Sequence, residues 1–210
     1  MATWQLIENT SATLVRILQN HVDRVLANLH VTVQTASAEA FEGLASVGKP
    51  TITVFLYRVI ENPELRNAPR TRLPDGTERR QPMVLELCYL VTPWGSRPNT
   101  NLSTDETASL EEHRMLGAVF QAFYDHAEIG KPELYEDPDP TTPRVWNATD
   151  TIQLVLESLS IDEMYRIWDA SDQGYRLSAA YRARVLALES EIAIGGPPVL
   201  DSTFTITKVS

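Results

Sequence analysis

Two stretches of this chain, Thr51 to Val59 and Met83 to Val91, are apolar on both alternating faces, and they limit the possible folds more than any other feature. In the first, Ile52, Val54 and Leu56 point one way while Thr53, Phe55, Tyr57 and Val59 point the other. A strand of that kind must be covered on both sides, by helices or by a partner, because either face left in water forfeits its burial. Asn62-Pro63 ends the first stretch, and Pro93 with Gly95 marks the end of the second. The chain is therefore expected to fold in layers.

Helical periodicity supplies the covering layers. Leu14, Ile17, Leu18, Val22, Val25, Leu26 and Leu29 recur at helical spacing behind Thr10 or Ser11 as N-cap, which predicts a helix over 11–29. Val31-Thr32-Val33 reads as a short strand. A second helix is predicted over 105–129, with Leu116, Val119, Phe120, Phe123 and Ala127 on its buried face and Glu111, Glu112 and Arg114 on its solvent side. Ile152, Leu154 and Leu156 mark a third strand. Ser160-Ile161-Asp162-Glu163 is a capping box opening a short helix that ends near Trp168. Tyr175 to Glu189 reads as a long strand, with Tyr175, Leu177, Ala179, Tyr181, Ala183, Val185 and Ala187 on one face and Arg176, Arg182 and Arg184 on the other. Gly195-Gly196-Pro197-Pro198 breaks the chain, and Phe204 and Ile206 alternate with threonines in a candidate final strand. This order implies an α+β fold, a mostly antiparallel sheet flanked by helices. With 210 residues, one core suffices. The expected division is a single domain over 1–194, with an arm at 62–82 and an exposed acidic, proline-rich loop at 131–143, and then a tail over 195–210. The segment after Gly195 is expected to be disordered in the free protein and to order on assembly.

Charge and composition exclude several classes of function. A net charge of -10 argues against general binding to nucleic acid or to anionic membrane. No apolar run approaches the roughly twenty residues that span a bilayer, so no direct membrane insertion is expected. The amino terminus lacks the pattern of a secretory signal, and Cys88 is the single cysteine, so no intrachain disulfide can form. A cytoplasmic protein is the expectation. His21, His30, His113 and His126 share no metal-ligand spacing. Cys88 sits in an apolar run, where a thiol packs as a small hydrophobe. No phosphate-binding glycine loop or nucleophile elbow is present. No catalytic, metal or cofactor-binding residue is assigned.

Two groups of arginines remain. Between residues 66 and 80, Arg66, Arg70, Arg72, Arg79 and Arg80 outnumber Asp75 and Glu78, in a segment whose Pro74-Asp75-Gly76 signals a hairpin tip. It reads either as a solvated loop or as a docking arm for an acidic partner surface. Arg176, Arg182 and Arg184 form the second group. Charges there either protect the strand from unwanted pairing or line a surface between subunits.

Taken in order, several blocks resemble a known family. They are Val54-Phe55-Leu56-Tyr57-Arg58-Val59-Ile60-Glu61-Asn62-Pro63, then Leu65-Arg66-Asn67 and Leu87-Cys88-Tyr89-Leu90-Val91-Thr92-Pro93. Leu116-Gly117, Leu154-Val155-Leu156-Glu157-Ser158-Leu159-Ser160, Ile167-Trp168 and Tyr175-Arg176-Leu177-Ser178-Ala179-Ala180-Tyr181 follow. Over about residues 8–190 the chain is similar to the cap, or tail-terminator, proteins of contractile injection systems, N-terminal-domain type. The resemblance implies a phage tail-terminator-like fold and a hexameric ring at the baseplate-distal end of the particle. There the ring would end polymerisation of inner tube and sheath and join the two. Partners implied are further copies of the chain, inner tube protein and sheath protein, and no active site carries over. Gln173-Gly174 and the Gly-Pro tail depart from the family pattern. A connector or baseplate component of such a particle is the alternative, and an enzyme with an unrecognised site stands behind both.

Overall fold

Both doubly apolar stretches are strands, and they lie side by side within a six-stranded sheet. The computed structural model describes residues 4–41, 48–63, 70–72, 78–96, 102–139, 141–142, 144–170, 174–190 and 192–194. In chain order the elements are α1 (Leu6–Val25), β1 (Thr32–Thr35), β2 (Thr51–Glu61), β3 (Thr71–Arg72), β4 (Glu78–Arg79), β5 (Met83–Trp94), α2 (Leu102–Asp125), β6 (Glu128–Ile129), β7 (Ile152–Glu157), α3 (Ile161–Asp169), β8 (Ala179–Leu188) and β9 (Ala193–Ile194). The sheet order is β1-β2-β5-β8-β7-β6, with β1 parallel to β2 and every other pair antiparallel. A second, three-stranded sheet runs β3-β4-β9. The fold is the α+β type read from the sequence, with helices on both faces of the main sheet.

One face of the sheet packs on α1 and α2. Ile52, Val54, Leu87, Tyr89, Val91, Tyr181 and Ala183 meet Leu14, Leu18, Val22, Met115, Val119 and Phe123 in a continuous core. The opposite face is covered over part of its area by α3 and the turn at Ala38–Ala40, where Phe41, Leu90, Trp94, Met164 and Trp168 pack together. Phe41 anchors this second core, its ring 5.3 Å from Trp168, 5.4 Å from Phe55 and 5.6 Å from Trp94. The Trp94 indole N–H donates to Thr53 Oγ1 at 3.0 Å, so this fully buried ring keeps its polar atom paired. Each fully buried Leu or Phe contributes about 1.5–3 kcal/mol. An exposed pair such as Arg70–Glu78 contributes at most about 1 kcal/mol, so the two cores decide the stability.

Several boundaries differ from the sequence reading, each for a physical reason. The first helix spans Leu6–Val25 instead of 11–29. Its opening turns bury Asn9, Thr10 and Thr13, and the Thr10 and Thr13 hydroxyls donate back to Leu6 O and Asn9 O, so polar residues hide part of the buried face. β5 continues through Pro93 to Trp94 because pairing with β8 stops at Val91, leaving the proline with one neighbouring strand. The second helix ends at Asp125, and Glu128–Ile129 pairs with β7 as β6. On its buried face stand Met115, Ala118 and Ala122, while Phe120 and Ala127 are exposed. β8 begins at Ala179 instead of Tyr175. The 131–143 loop forms no helix or strand among its described residues, yet it is not wholly exposed: Leu134 lies in the main core. Trp146 Nε1 donates to Tyr135 O at 2.7 Å and Tyr135 N–H donates to Thr13 Oγ1 at 2.8 Å, which ties the loop's base to α1. The candidate strand at Phe204 and Ile206 lies outside the described residues.

Candidate functional site

The arm is a small sheet of its own. β3 and β4 pair antiparallel, Thr71 opposite Arg79 and Arg72 opposite Glu78, and β9 joins β4 through Ile194 opposite Glu78 and Ala193 opposite Arg79. The chain thus returns after β8 to reinforce the arm, a contact that no local pattern announces. Arg70 and Arg80 are exposed, and Arg70 Nη1 sits 3.5 Å from Glu78 Oε2. Arg72 and Arg79 are in the paired strands, and Arg66 lies outside the described residues.

The second group of arginines separates into two places. Arg182 and Arg184 project from the α3 side of the sheet, over the part of that face that α3 leaves uncovered. Leu85 pairs with Leu186 and Leu87 with Ala183, so Arg184 and Val185 together oppose Glu86 in a bulge. Arg182 Nη1 meets Glu86 Oε2 at 3.2 Å, and its Nη2 donates to Glu157 Oε1. Arg184 Nε lies 3.9 Å from Glu86 Oε1. Tyr57 Oη donates to Glu157 Oε2 at 3.2 Å, and Asn62 Nδ2 donates to Glu86 Oε1 at 3.3 Å. The hydrogen bond to Glu157 holds the Arg182 pKa above its ordinary value. Arg182 and Arg184 share the two carboxylates in an ion-pair network, and the exposed Arg58, opposite Cys88 in β2, adds a further cation beside it. Cys88, beneath it, is buried, and burial pushes its thiol pKa up and away from a reactive thiolate.

Arg176 lies elsewhere. Its guanidinium stacks over the Trp94 ring at 4.6 Å and its Nη1 is 3.6 Å from Glu112 Oε1. Glu112 also accepts the Gly95 N–H at 3.2 Å, and Glu111 accepts the Ser96 N–H at 2.9 Å. These two glutamates, expected on a solvated face, instead clamp the end of β5 to α2.

Sequence reasoning missed one surface altogether. Phe120, Tyr124 and Leu156, which are 41%, 84% and 53% exposed, border an apolar groove of about 390 Å³ floored by Phe123, Leu154 and Tyr181. Its signal was present in the surplus of apolar residues on α2, which carries more than one buried stripe requires. A second pocket of about 350 Å³ lies between α1 and the 132–133 turn, lined by Arg16, His21, Arg24, His126 and Glu133. His126 Nε2 is 3.1 Å from Glu133 Oε1, and Arg16 donates to the Glu133 carbonyl. Asp137 and Asp139 accept from their own loop's backbone N–H groups and threonine hydroxyls. Among the described residues no group of His, Cys, Asp and Glu has the arrangement to hold a metal ion, and no helix is long and apolar enough to cross a membrane.

Comparison with known proteins fits this layout. The family described as the Pvc16 N-terminal domain matches residues 9–201. The chain is similar in fold to the PVC sheath/tube terminator of an extracellular contractile injection system in its extended state, with a TM-score of 0.55 and 16% identity over 93% of this chain. It is similar also to the anti-feeding prophage cap, a tube-terminating cap, with a TM-score of 0.53 and 16% identity over 90% of this chain. It spans 64% and 60% of the length of those two proteins. No curated protein sequence matches it.

Proposed function

The chain belongs to the Pvc16 N-terminal domain family, and from that premise we propose that it acts as a structural cap, or tail terminator, of a contractile injection particle. It forms a hexameric ring at the baseplate-distal end, ends the polymerisation of inner tube and sheath, and joins the two. It assembles in the cytoplasm as part of a phage-tail-like particle and performs no bond-making chemistry. The observation that carries this reading is the fold likeness to a sheath/tube terminator over 93% of the chain.

The physics of termination supports the same reading. A terminator offers one face to a growing end and denies the next subunit an equivalent one. A closed ring that matches the partner's rotational symmetry does both. The arm, with Arg66, Arg70, Arg72, Arg79 and Arg80, docks on an acidic surface of tube or sheath, since arginine forks pair with carboxylates at interfaces. On the sheet face, Arg182 is held by the chain's own Glu86 and Glu157, so the face offers a partner chiefly Arg184 and the exposed Arg58. Arg176 holds β5 against α2.

Deleting the gene tests the proposal. Tubes and sheaths of uncontrolled length, seen by electron microscopy, are the expected result. Particles of normal and uniform length would overturn it.

A further inference from the structure

Among the described residues, the apolar groove runs along a sheet edge that is open. β6 covers β7 only at Ile152 and Gln153, and the Leu154 N–H donates to Ala127 O at 2.8 Å. Ladder groups alternate along a strand, so the N–H and C=O of Leu156 point the same way, outward, beyond the last residue that β6 and Ala127 reach. Its side chain is over half exposed at the groove mouth beside Phe120 and Tyr124. Unpaired main-chain groups next to a slot for alternate side chains are the two parts of a strand-addition site.

We propose that this edge receives residues 203–209 of a neighbouring copy, added to β7 as a further strand. The inference rests on the closed-ring reading above. Sequence chemistry selects the occupant. In Thr203-Phe204-Thr205-Ile206-Thr207-Lys208-Val209, Phe204 and Ile206 share one face and fit the groove, while the threonines face away.

Geometry favours a neighbour's segment over the chain's own. Leu156 is level with Tyr181, whereas β8 carries the chain on to Leu188, roughly 23 Å further at the strand rise. The chain then pairs with the arm through β9, at that far end of the sheet. The nine steps from Ile194 to Thr203 reach at most about 32 Å when fully extended, so a return across β8 and β7 would hold this segment close to full extension. A ring contact, in contrast, joins two different surfaces of one chain, and the groove and this segment are such a pair.

The test uses full-length chains. One tagged copy carries Tyr124→Cys and a differently tagged copy carries Ile206→Cys, while the native Cys88 is buried. Oxidation of the mixture is expected to give a covalent product bearing both tags. In assembled protein, the Leu156 amide should exchange slowly, and Phe204→Asp with Ile206→Asp should speed it by about tenfold or more. Three results overturn the inference alone: a ring by light scattering with no cross-link, a link confined to one chain that carries both cysteines, or Leu156 protection that appears only on adding sheath or tube protein. Failure to form a ring, alone or on particles, removes the neighbour and overturns the functional reading with it.

Discussion

A methyl group on Gly95 would lie 2.3 Å from the Ala108 carbonyl oxygen and 2.9 Å from its carbon, both backbone atoms of α2. The helix therefore rests directly on the end of β5, and the Gly95–Glu112 and Ser96–Glu111 hydrogen bonds fix it there. Gly95→Ala is expected to cost about 1–3 kcal/mol, the range for forcing a methyl group into filled space. Denaturant titration reads it as a lower midpoint, and an unchanged midpoint would show that α2 yields freely. His21 makes a different prediction. It is buried, and its pKa lies below the ordinary 6.5, first through burial and then through Arg24, with Asp125 opposing. In the unfolded chain it takes up its proton near the ordinary value, while the folded state resists protonation. Stability from this source is thus present above about pH 6.5 and is lost as pH falls below it. His21→Gln should flatten that part of the pH profile, measured by urea titration between about pH 7.5 and about pH 5.5. Neither role was visible beforehand. A glycine near a proline reads as a turn, and a histidine on a helix as a polar surface, until the opposing element is in place.

At the scale of elements, local chemistry and tertiary pairing divide the outcome. The Ser160–Glu163 capping box was legible because all its atoms lie within one turn: Ser160 Oγ accepts the Glu163 N–H at 3.2 Å, and Glu163 Oε2 accepts the Ser160 N–H at 2.9 Å. The bonds from Ser160 hold the Glu163 pKa below the ordinary carboxylate value. α3 has only nine residues, too few to persist alone, so its cap and its buried Met164 and Trp168 must act together. Ser160→Ala should speed amide exchange across α3 while exchange in β5 and β8 stays unchanged. Equal acceleration everywhere would mean that α3 opens only with the whole molecule. β6 and β9 were not legible. Two residues have no period, and each is a strand only because β7 or β4 runs beside it.

For the whole molecule, the arm forms a sheet of its own, and none of its described residues belongs to either core. Changing Arg70, Arg72, Arg79 and Arg80 to Glu is expected to leave the unfolding midpoint nearly unchanged and to weaken co-purification with tube or sheath protein by about tenfold or more. Unchanged attachment would assign the contact to another surface. The sequence by itself determined the layered α+β fold, because strands apolar on both faces need cover on each side and the helical periodicity of the chain supplied it. It also determined the cap of α3 and the family, which short-range spacing and ordered blocks carry, but not the start of α1, whose N-cap is Gln5 while Thr10 and Ser11, read as caps, lie inside the helix. Tertiary structure alone decided where each charged group ended. Glu111 and Glu112 became clamps, Arg182 and Arg184 became part of an ion-pair network, and Phe120 became the lip of a groove. The physical reason is range. Periodicity records what a residue needs from its own element, whereas partners 15 to 96 positions away along the chain are chosen by which elements pack together.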